Sequence, residues 1–351
     1  MRVGIIAASN IMYSPYVFMY TNLMEKENIS FDVIYPNKKD IKEHYSFHTY
    51  SCEWNGNCNV VFNYFHYANT VKKICKKNQY DFLVVLTQNM AVFLSFWLVE
   101  KYRGKYLVDI RDYTHENFNI FYWLEKNAIN NACINVISSE KFKEFLPKSK
   151  YLMSHNLSMS YTNFKKLKWK KASSSIVVGY VGSIGYIDNC KRFMDLISAD
   201  SRFCFYFYGA SGSEQVLKEY ASTLKCDRIK FFGRYLPEEK INIIDGVDIL
   251  FNVYGNDSQL VRCALSNKLY DALYLKKPLL VSPNTYMAEM AGELGFSLDL
   301  DSLSNLDCLF DWYNELIDFS NSADEKLEYI INQNNETNKT IINVIKKVGN
   351  I

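Results

Sequence analysis

The chain has 351 residues, 48% of them hydrophobic, and is therefore long enough to bury the cores of two ordinary domains. Its net charge is only +2, whereas nucleic-acid-binding proteins usually have an excess of basic residues. No nucleic acid is therefore expected among its partners. Nine cysteines without regular spacing favour free thiols in a reducing cytoplasm over a disulfide framework. We therefore expect a cytoplasmic protein with sizeable cores.

Short apolar runs alternate with amphipathic stretches in the first half of the chain. The runs predict buried strands at 2–8, 31–35, 82–87, 105–110 and 133–138. The stretches between them predict helices at 16–26, 68–77, 91–102 and 123–131. Such alternation indicates a parallel sheet covered on both faces. The N-terminus is predicted to be a strand and not a signal peptide, and the apolar run 90–99 is too short to span a bilayer.

Residues 163–175 are basic and then serine-rich, and they predict a solvated interdomain linker in preference to contact of the lysines with an anionic membrane. The alternation then resumes. Further strands are predicted at 175–182, 203–209, 228–233, 248–254 and 278–282, and helices at 191–198, 214–224, 302–319 and 324–348. We predict two doubly wound, Rossmann-like domains facing across a cleft. They span 1–162 and 176–322, and a C-terminal helix within 323–351 packs back towards the N-terminal domain.

His44, His48, Cys52 and Cys58 form the most metal-like group in the sequence. Their order and spacing match no strong zinc pattern, so ordinary loop residues are favoured and no metal site is predicted.

Ligands of doubly wound sheets bind outside the carboxyl ends of the strands. In the second half these ends carry Gly182 with Gly185, then Gly209, and then Arg234 with Tyr235. A helix N-terminus after a glycine loop suits phosphate, although turn geometry alone would also explain each glycine. The spacing matches neither a Walker loop nor a dinucleotide fingerprint. The recurrence of such loops predicts a nucleotide or polyphosphate pocket.

The segment 257–273 extends this pocket. Ser266 is a good N-cap, and the first helical turn, with Arg262 and Lys268 close by, suits a diphosphate. Asp271, one turn further, could accept hydrogen bonds from a ribose diol. The alternative is that Asp271 pairs with Lys268 at i,i+3.

The richest polar cluster of the first half is DIRDYTHENF, residues 109–118, at the carboxyl end of a predicted strand. Asp112, His115 or Glu116 could remove the proton from an acceptor hydroxyl, as an inverting transferase requires. In a retaining enzyme the cluster would bind sugar hydroxyls instead. The alternative is a structural Arg–Asp network that closes a loop. His155 is a second candidate.

The order GYVGSI, FYFYG, IKFFGRY, DILFN and SNKLYDALYLKKPLLVS resembles the donor-binding domain of GT-B glycosyltransferases. It is most similar to the group 1, family 4-like class of bacterial capsule, O-antigen and exopolysaccharide assembly. The resemblance covers most of the chain and implies that Asp271 holds the ribose of the nucleotide. The class usually has Glu-x7-Glu ending at this position, but Cys263 replaces the first Glu. Ser183 stands where an Arg is common, and Lys191 is the nearest match to an expected Lys, so the chain resembles a divergent branch.

The resemblance implies a metal-independent transferase without a cofactor, which moves a sugar from a nucleotide-sugar, with a UDP-sugar favoured. The acceptor would be a saccharide or lipid-linked saccharide, with peripheral contact to the inner membrane face. The donor site would comprise Gly182, Ser183, Lys191, Gly209, Arg234, Tyr235, Arg262, Ser266, Asn267, Lys268 and Asp271. The acceptor side would comprise Ser14, Tyr16, Arg111 and His155. The alternatives are a sugar-nucleotide 2-epimerase of the same fold and a non-catalytic nucleotide-sugar-binding partner of an assembly complex.

Overall fold

The computed structural model describes residues 1–157, 165, 167–172, 175–212 and 214–349. The chain divides into two compact units. The first comprises Met1–Asn156 and Asn332–Ile351, and the second comprises Leu157–Ile331. All nine cysteines are free thiols.

The predicted linker, 163–175, lies partly outside the described residues. Its described part packs within the second unit. The backbone N–H of Trp169 donates to Oγ of Ser320 (2.9 Å), and that of Ala172 donates to the hydroxyl of Tyr313 (2.9 Å). The Trp169 ring lies 5.6 Å from the ring of Phe319. This part of the segment is therefore anchored to the second unit by its backbone and its one large side chain.

In the first unit, the described residues form a sheet of seven parallel strands in the order β3-β2-β1-β4-β5-β6-β7. The strands are β1 (Arg2–Ile6), β2 (Ser30–Pro36), β3 (Thr49–Cys52), β4 (Phe82–Leu86), β5 (Tyr106–Ile110), β6 (Ile134–Ile137) and β7 (Leu152–Met153). The helices between them are α1 (Tyr16–Lys26), α2 (Val60–Asn78), α3 (Gln88–Tyr102) and α4 (Asn119–Asn131). The strand order reverses between β1 and β4, and such a point is where doubly wound sheets bind ligands.

In the second unit, six described parallel strands follow the order β10-β9-β8-β11-β12-β13, which reverses between β8 and β11. The strands are β8 (Ile176–Val181), β9 (Phe203–Tyr208), β10 (Ile229–Gly233), β11 (Ile249–Asn252), β12 (Leu279–Val281) and β13 (Gly295–Ser297). The helices are α5 (Ile187–Ala199), α6 (Glu214–Leu224), α7 (Lys240–Asp245), α8 (Gln259–Cys263), α9 (Asn267–Leu275), α10 (Tyr286–Ala291), α11 (Asp307–Glu315) and α12 (Ser320–Val348). The later turns of α12 belong to the first unit.

Alternate side chains of the second sheet enter different cores. Val178 and Tyr180 of β8 pack in one cluster with Phe193 of α5, while Val181 packs in another with Leu269 of α9. Helices therefore cover both faces, and the predicted pair of doubly wound, Rossmann-like domains is confirmed. In the first unit the same logic buries all five residues of β4.

The run 90–99 lies in α3, whose Met90, Leu94 and Leu98 are fully buried. It is therefore the core helix that its length predicts. Within the described residues, no helix is both long enough and apolar enough to cross a membrane.

Candidate functional site

Two glycines end adjacent strands of the second sheet. Gly182 follows β8 and Gly209 follows β9, with φ of 124° and 130°. A Cβ on Gly209 would lie 1.9 Å from the carbonyl oxygen of Gly182, so the contact between the two loops requires glycine there. A Cβ on Gly182 would meet no described atom within 4 Å. The backbone of Gly182 is therefore open to close approach by a ligand, as the sequence suggests for a phosphate loop.

The hydroxyl of Tyr180 fixes the loop after β8. It accepts a hydrogen bond from the backbone N–H of Gly185 (3.1 Å) and donates one to the carbonyl of Ser183 (3.2 Å). Burial raises the pKa of Tyr180, so the hydroxyl keeps its proton for this bond at neutral pH. The Tyr180 hydroxyl therefore ties both Ser183 and Gly185 of this loop to β8.

Lys268 lies in the first turn of α9 and is only 5% exposed. Its Nζ donates to the hydroxyl of Tyr254 (2.6 Å) and lies 3.8 Å from the centre of the Tyr180 ring. Tyr254 in turn stacks on Tyr186, with ring centres 4.0 Å apart. Burial lowers the pKa of Lys268 to about 7, although Cys190 and Asp271 oppose the shift. We call Lys268 with these three tyrosines the tyrosine–lysine cluster.

The helix that carries Lys268 starts as the sequence predicts. Ser266 is its N-cap, and its side chain accepts from the backbone N–H of Lys268 (3.3 Å). The N-terminal end of this helix carries the partial positive charge of the helix dipole. The tyrosine–lysine cluster and this helix start lie after β8 and β11, where the strand order reverses.

Asp271 lies in the same helix and is 3% exposed. Its two oxygens accept from Nζ of Lys240 at 2.8 and 2.6 Å. Lys240 begins α7, so this ion pair joins two helices. Burial, with a contribution from Asp271, raises the pKa of Tyr235 to about 12, which places this predicted donor residue near the carboxylate.

Cys263 ends α8 and is buried. Nε2 of Gln259 lies 3.3 Å from its sulfur. A thiol lacks the two acceptor oxygens of a carboxylate, so Cys263 cannot replace the acid that the resemblance leads one to expect.

The other predicted donor residues have different surroundings. Arg262 is exposed and donates to the carbonyl of Asn256 (3.0 Å), and the ammonium of Lys191 lies 5.1 Å from the ring centre of Tyr220 on α6. Ser183, Arg234 and Asn267 are exposed as well. The structure therefore brings Gly182, Gly209, Ser266 and Lys268 to one edge, with Asp271 one turn further along α9.

In the first unit, Arg111 is buried after β5 and makes a charged network. It donates to Oδ2 of Asp109 (2.6 Å) and to the carbonyl of Ser154 (2.8 Å), and Tyr20 donates to the same Asp109 oxygen (2.7 Å). Burial opposes the charge of Arg111, but Asp109 outweighs it and raises the pKa. This is the Arg–Asp network that the sequence left open as a structural alternative.

The three candidate bases differ in their surroundings. Glu116 is buried and accepts from the backbone N–H of Thr114 (2.6 Å) and from Nε2 of Gln88 (3.0 Å). Gln88 also donates to the carbonyl of Asp112. The side chains of Asp112 and His115 are exposed. Glu116 therefore closes the loop, while Asp112 is the exposed one of the two carboxyl groups, with its pKa raised by partial burial.

The predicted acceptor residues Ser14, Tyr16 and His155 lie in this unit. The guanidinium of Arg111 lies 5.6 Å from the ring centre of Tyr16, and Ser14 is fully buried. Nε2 of His155 lies 2.8 Å from Oε1 of Gln333 on α12, and burial lowers the pKa of the imidazole. His155 is 2% exposed and is therefore built into the unit rather than presented to solvent.

Within the part of the chain that the structure describes, no group of three or more His, Cys, Asp or Glu side chains is placed to hold a metal ion. Of the metal-like group, His48 pairs through Nδ1 with Oδ1 of Asp32 (2.8 Å), and Cys52 is buried on β3.

Sequence reasoning missed Tyr180, Tyr186, Tyr254 and Lys240. The tyrosines were counted among the apolar residues of predicted strands and loops, and no functional role was assigned to them. Lys240 begins a short helix that is far in sequence from Asp271. A signal was available for Tyr254, because it ends the predicted strand 248–254, and the residues of a ligand site are expected at the carboxyl ends of strands.

No family model matches the sequence, and no curated protein is detectably similar to it in sequence. Solved structures, by contrast, match almost the whole chain. Sucrose-phosphate synthase from Thermosynechococcus elongatus is 11% identical, with a TM-score of 0.73 over 99% of this chain and 100% of that one. HepE from Anabaena, in complex with UDP and glucose, is 13% identical, with a TM-score of 0.68 over 98% and 100% of the two chains.

A putative UDP-N-acetylglucosamine 2-epimerase from Listeria monocytogenes is also similar. It is 10% identical, with a TM-score of 0.56 over 93% of this chain and 90% of that one. At such identities the likeness establishes the fold: the chain has the GT-B fold, with two parallel-sheet Rossmann-like domains.

Proposed function

We propose that the protein is a glycosyltransferase that binds a nucleotide-sugar in its second unit and a hydroxyl-bearing acceptor in its first. One observation carries the proposal. The open backbone of Gly182, which is packed on Gly209, lies after β8, and Lys268 is buried against Tyr180 of that strand. A fixed glycine loop, a buried cation and a helix start are what a diphosphate requires.

The reaction breaks the bond between the anomeric carbon and the diphosphate and forms one from that carbon to the acceptor oxygen. Negative charge develops on the leaving diphosphate, and the Lys268 ammonium with the first N–H groups of α9 would stabilise it. These groups supply the positive charge without a metal, so the transfer is proposed to be metal-independent. In an inverting transfer, Asp112 would accept the proton of the acceptor hydroxyl.

Asp271 would hold the ribose of the nucleotide. Lys240 already fixes both oxygens, at 2.8 and 2.6 Å, so the carboxylate is oriented before the donor binds. A carboxylate that is already oriented loses little conformational entropy when a diol binds to it. A UDP-sugar is the favoured donor, which the complex of HepE with UDP and glucose supports.

The acceptor is proposed to be a saccharide or lipid-linked saccharide of bacterial surface polysaccharide assembly, at the cytoplasmic face of the membrane. Exposed apolar side chains of the first unit support peripheral contact with that face. Phe62 on α2, with Ile120 and Trp123 on α4, are between 55% and 76% exposed. Single exposed apolar side chains are common, but several on α2 and α4, both of which contact α3, favour an interaction surface.

A thermal-shift panel of UDP-, GDP-, CMP- and dTDP-sugars tests the donor. We expect one nucleotide class to raise Tm in proportion to the logarithm of its concentration. Asp271→Ala should abolish the shift, while Asp227→Ala, at an exposed aspartate in the turn before β10, should keep it. If no nucleotide-sugar shifts Tm, or if Asp271→Ala binds as well as wild type, the donor assignment is wrong.

The likeness to the putative 2-epimerase keeps one alternative activity open. UDP release that requires an added acceptor supports a transferase, whereas release or sugar interconversion without acceptor supports an epimerase. Binding without turnover under either condition would support a non-catalytic partner of an assembly complex.

A further inference from the structure

A cavity lies at the amino ends of strands in the first sheet, opposite the loops at the carboxyl ends described above. Its volume is about 710 Å³, within the range of small-ligand sites. Lys72, Lys73 and Lys76 line it from the last turns of α2, Lys101 lines it from the end of α3, and Lys105 lines it just before β5. Because the two helices end here and β4 and β5 begin here, this is the amino edge of the sheet. We call it the lysine cavity.

The charge of the lysine cavity is unbalanced. Its lining carries five lysines and one acid, Asp81, in a chain whose net charge is only +2. Asp81 accepts from the backbone N–H of Arg2 (2.7 Å), and Lys101 pairs with Glu100 (2.7 Å). Among the described residues, the other four lysines have no acidic partner within 4 Å. Gathered like charges repel one another, so their grouping does not stabilise the fold but does attract anions.

One wall of the lysine cavity is aromatic. The rings of Trp97 and Tyr102 lie 5.1 Å apart in a tilted pair, and Tyr80 lies beside them. Trp97 and Tyr102 are both half-buried, and burial raises the pKa of Tyr102 to about 12. The cavity therefore offers an aromatic wall beside several lysine ammonium groups.

We propose that the lysine cavity binds a phosphate-bearing ligand at a site separate from the proposed donor and acceptor sites. Each ammonium is a mobile point charge with three donors, and several of them can surround one phosphate. The aromatic wall would contact the rest of the ligand. The phosphate could belong to a soluble molecule or to a phospholipid headgroup, and both present the same chemistry to the lysines.

Two probes distinguish these sources. Inorganic pyrophosphate is titrated into the full-length protein by calorimetry, and sedimentation is measured with vesicles of phosphatidylcholine, with and without phosphatidylglycerol. The variant is Lys72→Ala/Lys76→Ala/Lys105→Ala. The matched control, Lys42→Ala/Lys148→Ala/Lys150→Ala, removes three exposed lysines of the same unit and changes the net charge equally.

We expect the cavity variant to weaken binding of pyrophosphate, of anionic vesicles or of both by at least about tenfold, and the control to change it less than about twofold. Binding of pyrophosphate supports a soluble ligand, and binding of anionic vesicles alone supports a headgroup. The proposal is overturned if neither probe binds, if the cavity variant binds as well as wild type, or if both variants lose binding equally. The nucleotide-sugar thermal shift of the cavity variant should remain that of wild type, so this site and the donor site can fail independently.

Discussion

The pH dependence of donor binding is the sharpest test of Lys268. Its pKa is lowered to about 7 by burial, so in the free protein the ammonium loses its proton across the neutral range. A diphosphate next to it would require the charged form. Below pH 7 most of Lys268 already carries this charge. Above pH 7 Lys268 must first take up a proton, and this lowers the apparent affinity for the donor.

The magnitude follows from the fraction of protein in the charged form. About nine-tenths of Lys268 is charged near pH 6 and about one-tenth near pH 8, so apparent affinity should fall about tenfold, or about 1.4 kcal/mol, between them. UDP-glucose is the right probe, because its diphosphate carries no group that titrates in this range. Titration calorimetry at the two pH values measures the change directly.

Lys268→Met should bind UDP-glucose weakly and with no pH dependence, since the thioether has similar size and no charge. The exposed Lys230→Met should keep the wild-type profile. If wild-type affinity is flat from about pH 6 to about pH 8, or if Lys268→Met keeps the tenfold change, then Lys268 does not touch the diphosphate.

Three further outcomes are expected. Asp112→Asn should lower turnover by at least about a hundredfold, while UDP-glucose affinity and Tm stay at wild-type values. Glu116→Gln should mainly lower Tm, because it weakens the 2.6 Å hydrogen bond from the N–H of Thr114. Full activity in both variants would show that this loop takes no part in the chemistry. Gly209→Ala should lower the free energy of unfolding, measured with urea, by at least about 3 kcal/mol or prevent folding, because its Cβ would overlap the Gly182 carbonyl. The control Gly246→Ala, whose Cβ has only ordinary contacts at 3.5 Å, should not have this effect. Equal stabilities of the two variants would show that the two loops can separate. Glu125 is fully buried, its oxygens have no hydrogen-bond partner among the described residues, and burial raises its pKa to about 9. The folded protein keeps this proton while the unfolded chain loses it near pH 4.3, so wild-type stability falls as pH rises from there towards 9. Glu125→Gln should therefore raise Tm more at about pH 8 than at about pH 5, and an increase that is the same at both would show that Glu125 does not stay protonated.

The regular elements were accessible to sequence reasoning because burial of apolar residues dictates them. The helices at 16–26 and 214–224 have the bounds that their periodicity predicts. The strands β3, β7 and β13 were missed. Each lies at the edge of its sheet and has only two to four residues, so their sequences TYSC, LM and GFS carry no apolar run.

The candidate site was predicted only in part, because its geometry depends on contacts between distant elements. Local spacing offered Lys268 as the partner of Asp271, but the structure supplies an ion pair from Lys240, 31 residues away. Spacing also gave no reason to place Tyr254 against Lys268, since an aromatic side chain after a strand is usually part of a core. Roles that depend on local backbone, such as the Ser266 cap, could be predicted from the sequence.

The hydrogen bonds around His155 have a consequence for the connectivity of the chain. The carbonyl of Met153 accepts from Thr337 (2.6 Å), and the backbone N–H and carbonyl of His155 bond to Asn334 (2.7 and 3.0 Å). These hydrogen bonds hold the segment that leaves the first unit next to the segment that returns to it. Residues 157–331 are therefore an insertion into the first unit, whose two chain segments are hydrogen-bonded to each other where the insertion begins and ends. A short loop from Asn156 to Asn332 would join those ends directly, and the lysine cavity would then be carried by a chain of about half the length.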